Sequence, residues 1–414
     1  MDKQNGKLRW VIFTSVLFTY LLISSQRTAP GLITDRLMTD FSVTASTVGL
    51  IISIQFFVYT GLQIPMGILA DRYGPNLLIV IGTALTGIGT VIYSLSPHEF
   101  VLLFARILTG IGDATIWVSM ILILSQWFNQ KEFTRLIGFA GMTGSMGFLV
   151  ATFPFSVLIV LLGWRGAFLS AGVLLCLCNI FLYYILVKKS NRSLIVTNKI
   201  QHEKIAVLLR RILSNRQAWA LFLCHFGLVG GYIGFIGSWA VPYAMDVYEM
   251  TRLGASKLIM FSLVGALIGA PLIGWISSCL GTIKRPYIFF HLTVLLCWSS
   301  FLLFKGHPPL SLLVLLFFII GFGFGSNSLT FAVVRQSFPI TETGIVSGFA
   351  NTGGFLSAVL LPSIIGSILD HFQSTSGSIG IGYYYGFFVP VIFSFFGLIG
   401  VLFIKEKRQG EQMP

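Results

Sequence analysis

The 414-residue chain is dominated by twelve apolar runs, each long enough to cross the roughly 30 Å hydrocarbon core of a bilayer. They lie near 10-34, 46-69, 77-96, 99-124, 136-161, 166-187, 217-242, 256-278, 286-304, 309-333, 345-369 and 384-404. In hydrocarbon a backbone must satisfy its own hydrogen bonds, which leaves helices and closed barrels as the only spanning structures. Barrel strands alternate apolar and polar residues, whereas these runs are apolar on every side. The expected fold is therefore an all-α membrane protein with twelve transmembrane helices. Charged residues make up 10% of the chain, against about 25% in soluble proteins, which excludes a soluble enzyme or a free nucleic-acid binder. Lys and Arg outnumber Asp and Glu by 27 to 14, but they cluster between the runs, which is a mark of topology and not of a nucleic-acid footprint.

Placing both termini in the cytoplasm puts 20 Lys and Arg on the inner side and 5 on the outer, the asymmetry expected of a multi-pass plasma (inner) membrane protein. Lys3, Lys7 and Arg9 precede the first run as in a signal peptide, but the run is too long and lacks a small-residue cleavage site, so it reads as an uncleaved span. The longest polar gap divides the chain into a six-helix bundle at 1-187, a cytoplasmic linker at 188-216 and a second six-helix bundle at 217-414. Within the linker, 203-213 reads either as a short amphipathic helix on the inner leaflet or as a solvated connector. The five cysteines show neither metal-ligand spacing nor a pairing logic, and no cofactor motif is present.

The two halves repeat each other. "GILADRYG" at 67-74 aligns with "GWISSCLG" at 274-281, and "FNQKEFTRLIGFAGMTG" at 128-144 aligns with "FPITETGIVSGFANTGG" at 338-354. Two pseudo-symmetric six-helix bundles in parallel register place a binding site between them.

These motifs, in this order along the whole chain, resemble the major facilitator superfamily of transporters. Gly67, Asp71, Arg72 and Gly74 meet the G-x-x-x-D-R-x-G pattern of the loop between helices 2 and 3, and Arg106, Gly110 and Gly112 meet the R-x-x-x-G-x-G pattern of helix 4. "GDATIWVSM" and "GFLVATFP" look more like the organic-anion and sugar-phosphate branches, and the G-P-x-x-G-G element of drug-proton antiporters is absent from helix 5. The resemblance implies alternating access by a monomer in the lipid bilayer. In that setting Asp71 is expected to face the helix 11 N-terminus near Gly344 as an inner latch, with Arg72, Glu132 and Arg135 completing a charge network. The second copy of the loop has Ser278 and Cys279 where the first has Asp71 and Arg72, so only one half keeps the charged latch.

Thirteen of the fourteen acids fall in loops or at helix ends, leaving Asp113 alone at membrane depth. Burial opposes its ionised form and a nearby guanidinium favours it, so Asp113 is either a proton carrier, with Arg106 as its coupling partner, or half of a structural ion pair. Counting rise along the helices puts Arg27 and Arg106 roughly 8 and 9 Å to the same side of the midplane, a level at which the two guanidiniums would clamp one anion. Arg106 occupies a position shared by carriers of many substrates and so also reads as a general coupling residue. Asn327 and Asn351 either line the second half of the cavity or glue helices together, and His225 and His291 read as packing residues. The expected function is a secondary transporter taking up a small organic anion with protons. The rivals are proton-antiport efflux of a lipophilic compound and a non-transporting sensor of the same fold.

Overall fold

The computed structural model describes residues 3–43, 45–189, 205–376 and 379–406, and no strand occurs among them. Residues 190–204, the larger part of the expected linker, lie outside the described residues. Twelve long helices follow the expected runs: α1 Lys3–Thr28, α2 Ala45–Tyr73, α3 Pro75–Ser94, α4 Glu99–Trp127, α5 130–162, α6 164–183, α7 Arg216–Ile236, α8 Arg252–Leu280, α9 Lys284–Leu303, α10 Leu310–Ser337, α11 Thr343–Ser376 and α12 Ile379–Phe403. Eleven of these segments are long and apolar enough to cross a membrane, and α2 is the twelfth. Gly163, at φ 69°, breaks what would otherwise be one continuous helix into α5 and α6.

Contacts group the described chain into two units. The first holds residues 1–129 and 143–205 together with 339–348, and the second holds 130–142, 206–338 and 349–414. The beginnings of α5 and α11 thus pack with the helices of the opposite sequence half. The internal repeat is carried into the helices: Pro271 inside α8 lies within one residue of the position that the alignment gives Pro65 of α2, and Pro362 inside α11 within two residues of that of Pro154 in α5.

One end of the first unit is closed by a core of Ile33, Leu37, Ile51, Tyr93, Phe155, Trp164 and Phe168. At this core the Trp164 indole N–H donates to Asp40 at 2.8 Å and Arg165 donates to the carbonyls of Ser94 and Ser96, while the Tyr93 hydroxyl is buried with no hydrogen-bond partner. In the second unit Trp298, Phe301, Phe317 and Tyr243 are fully buried, while residues such as Leu303 (81% exposed) and Val160 (84%, first unit) remain open on the helix faces. Large aliphatic side chains left this open need an apolar solvent, which a bilayer supplies. In the linker, 205–213 is a helix as the amphipathic reading expected, burying Leu208 and Ile212 and exposing Arg210.

Candidate functional site

Asp113 sits midway along α4, where glycines remove bulk on two sides. A Cβ on Gly112 would lie 2.4 Å from the Gly82 carbonyl oxygen, and one on Gly110 would lie 2.9 Å from that of Gln55. α4 therefore packs backbone to backbone against α3 and α2, as small residues in membrane helices permit. The second contact brings Gln55 alongside Asp113.

α1 runs antiparallel to α4: the Tyr20 ring lies tilted against Trp117 at 5.4 Å between centroids, while the Gln26 carbonyl meets Arg106 seven residues earlier on α4 than Asp113. Helical side chains lean toward their own N-terminus. The Arg27 side chain accordingly leans back along α1 and reaches Asp113, with Nε to Oδ2 and Nη2 to Oδ1 both at 2.8 Å. Gln55 adds a third donor, its Nε2 lying 3.2 Å from Asp113 Oδ2. The guanidinium lies 4.9 Å from the centroid of Tyr59 and 5.8 Å from that of Tyr20. Asp113 is 1% exposed and Arg27 6%, so the charges are held by each other and by ring faces and not by water. Gln55 Oε1 is buried with no hydrogen-bond partner, an acceptor presented beside the ion pair.

Arg106 does different work. The last carbonyls of a helix have no partner within it, and α1 ends at Thr28 before Pro30. Arg106, leaning toward the N-terminus of α4 and so away from Asp113, donates to the carbonyls of Gln26 at 3.1 Å, Arg27 at 3.4 Å and Ile51 at 3.3 Å. It is a cationic cap on α1 that also ties down α2. The expectation that the two guanidiniums face one anion is thus corrected, because the side chains diverge along antiparallel helices. Arg106→Lys should lower the thermal stability of the purified protein by about 1–2 kcal/mol through lost carbonyl bonds, and should change anion affinity less than threefold. A calorimetric scan and a binding isotherm check both halves of that expectation.

The loop motif is equally specific. Asp71, 1% exposed at the end of α2, accepts from the backbone N–H groups of Gly344 at 2.9 Å and Ile345 at 2.8 Å, the first turn of α11. Gly67 permits the approach, since a Cβ there would lie 2.6 Å from the Gly344 carbonyl oxygen. Gly74, at φ 85°, turns the chain into α3 in a conformation that favours glycine. In the second unit the equivalent place of Asp71 is taken by Ser278, whose hydroxyl accepts from Arg135 Nε at 3.0 Å, and Gly274 lies against the Thr134 carbonyl. Arg72 belongs to the first unit, and Glu132 and Arg135 to the second.

Asn327 and Asn351 both belong to the second unit. Asn351, 2% exposed, hydrogen-bonds the His225 ring, whose Nδ1 is 3.2 Å from Thr330 Oγ1, and that hydroxyl is 2.7 Å from the Tyr287 phenol. Asn351 therefore holds α11 to α7. Asn327 is half-buried on the 3-10 turn Gly325–Asn327 within α10. The residues missed at sequence level are Gln55, Tyr59 and Tyr20. Gln55 had a signal, being an amide in the middle of an apolar run, while Tyr20 and Tyr59 are indistinguishable in the sequence from interfacial aromatics.

The family model described as Major Facilitator Superfamily matches residues 13–362. The chain is 24% identical over 381 residues to a "Probable L-galactonate transporter" of Escherichia coli K12, covering 87% of this chain and 82% of that one. It is also 24% identical over 353 residues to the "Cis,cis-muconate transport protein" of Acinetobacter baylyi, covering 83% and 81%. Among solved structures, the major facilitator transporter FucP in the outward conformation superposes with TM-score 0.77 at 13% identity, over 97% of this chain and 100% of that one. With the helix order, the repeated loop motifs and the match across the chain all in agreement, this integral multi-pass membrane protein belongs to the Major Facilitator Superfamily.

Proposed function

We propose that the chain takes up a small organic anion together with a proton by alternating access, and that Arg27 is the group for which the anion and Asp113 compete. The observation that carries this reading is the buried bidentate pair between Arg27 and Asp113. A guanidinium fork fits any carboxylate equally well, whether from the protein or from a substrate. Buried without a partner it is strongly unfavourable, so one anion or the other must be present. Protonation of Asp113 removes its claim on Arg27 and opens the fork to a substrate carboxylate, and loss of the proton restores the internal pair and displaces the substrate. Charge inside the site is then conserved, with one anion entering as one proton neutralises Asp113.

The unpartnered Gln55 oxygen beside the pair accepts a hydroxyl, which favours a hydroxylated acid over a bare hydrocarbon acid. The relatives named for galactonate and cis,cis-muconate transport support the anionic class. Efflux of a lipophilic compound has no comparable support in the first unit, where the polar centre is a carboxylate-shaped charge site. Purified protein in liposomes, given sugar acids and unsaturated dicarboxylates with the exterior acidified, should accumulate one of them and lose that accumulation when a protonophore is added. Transport of only neutral or cationic compounds would contradict the reading.

The Asp71 contact with the start of α11 is proposed as the latch of the cytoplasmic side, the termini lying on that side too. A carboxylate on two N–H groups at a positive helix end is a charge-assisted contact worth about 1.5–3 kcal/mol. Asp71→Asn should therefore shift the balance toward conformers in which this contact is broken, by up to roughly 10- to 150-fold. Cysteine labels on the inner and outer walls of the cavity report the shift as a changed ratio, and an unchanged ratio would show that Asp71 is not a latch.

A further inference from the structure

At one end of the second unit α7 and α12 touch backbone to backbone, since a Cβ on Gly400 would lie 2.6 Å from the Ala220 carbonyl oxygen. Beyond that contact, where Arg216 begins α7 and Lys405 follows α12, lies a groove of about 560 Å³. Its walls are Trp219, Ala220 and Leu223 of α7 and Phe403 of α12, and the charged residues lining it are Arg216 and Lys405, with no acid among them. Phe403 is 71% exposed and Trp219 43%, so the wall opens toward whatever surrounds the helices.

The backbone at Lys405 is held in place. The Gln217 amide donates to the Lys405 carbonyl at 3.1 Å and accepts from the Lys405 N–H at 3.0 Å, which fixes the backbone that carries the ammonium. Glu406, the neighbouring acid, is directed elsewhere: it accepts from the Thr282 hydroxyl and from the backbone N–H groups that open α9. The Trp219 indole donates to the Leu213 carbonyl at 2.7 Å, tying the groove to the amphipathic helix that exposes Arg210.

An apolar wall the length of several methylenes, ending in cations at the end of two membrane spans, complements one kind of molecule. We propose that the groove binds an anionic phospholipid of the adjoining leaflet, with an acyl chain along Leu223 and Phe403 and its phosphate between Arg216 and Lys405. A soluble anion would leave the wall unused, and a zwitterionic lipid would bring its own cation against the two on the protein.

The test uses the full-length protein in neutral detergent with equimolar dioleoyl phosphatidylglycerol and dioleoyl phosphatidylcholine, and counts retained lipid by native mass spectrometry. Phosphatidylglycerol should be retained in preference, and each of Arg216→Gln and Lys405→Gln should weaken its retention about fivefold, the double substitution roughly 25-fold. Both side chains are exposed, so folding is not at risk. An acyl-photoactivatable phosphatidylglycerol should crosslink to 219–223 and Phe403. Equal retention of the two lipids, unchanged retention by the double variant, or crosslinks confined to other helices would each overturn the assignment, as would glycerol phosphate competing as well as the lipid.

Discussion

Replacing Arg27 by Gln is expected to weaken binding of the anionic substrate roughly 10- to 150-fold, the equivalent of a charge-assisted hydrogen bond worth about 1.5–3 kcal/mol. Glutamine keeps a donor but not the charge or the fork. The substitution also strands Asp113, 1% exposed, without its partner, and breaking a buried pair from one side costs about 3–5 kcal/mol. The double variant Arg27→Gln with Asp113→Asn removes that penalty, so it should recover stability while leaving affinity low. A neutral or cationic lipophilic cargo would bind the single variant as well as wild type or better. The same isotherms therefore separate anion uptake from lipophile efflux, and wild-type affinity for every anion tried would make Arg27 purely structural.

Asp113→Asn is expected to abolish accumulation driven by a pH gradient while sparing exchange of substrate across a membrane without one. The amide cannot ionise, so it never reclaims Arg27 with the strength of the carboxylate pair seen at 2.8 Å, and the site stays open to the anion in both orientations. Uptake against a concentration gradient should fall to the level of the protonophore control, and counterflow should remain within a few-fold of wild type. Equal dependence on the pH gradient in the two proteins would remove Asp113 from the coupling step.

The twelve spans and the repeat were legible in the sequence because lipid imposes length and apolarity on each helix separately. The charged residues at membrane depth were legible for the same reason: Arg27, Arg106 and Asp113 stand out against their runs. Their partnerships were not. Counting 1.5 Å per residue places backbones, not guanidiniums, and an arginine reaches several ångströms along its own helix toward the N-terminus. On antiparallel helices that lean carries Arg27 toward Asp113 and Arg106 away from it, so two residues at one backbone level serve different ends. The placing of Asp71 opposite Gly344 came from the resemblance to a family and not from counting rise, and the contact is made where Gly67 lets α2 approach the start of α11. Gln55 reached the site through Gly110, a packing detail that depends on which face of α2 meets α4.

The competition for Arg27 can be counted in protons. At a pH at which Asp113 is ionised, wild-type protein should take up close to one proton for each anion bound, and Asp113→Asn should take up none. Isothermal titration of the sugar acid or dicarboxylate in buffers of different ionisation enthalpy measures that number directly. One proton in the wild type and none in the variant is the predicted result, whereas no proton uptake by the wild type, or the same uptake by both, would contradict the exchange of Asp113 for substrate on Arg27.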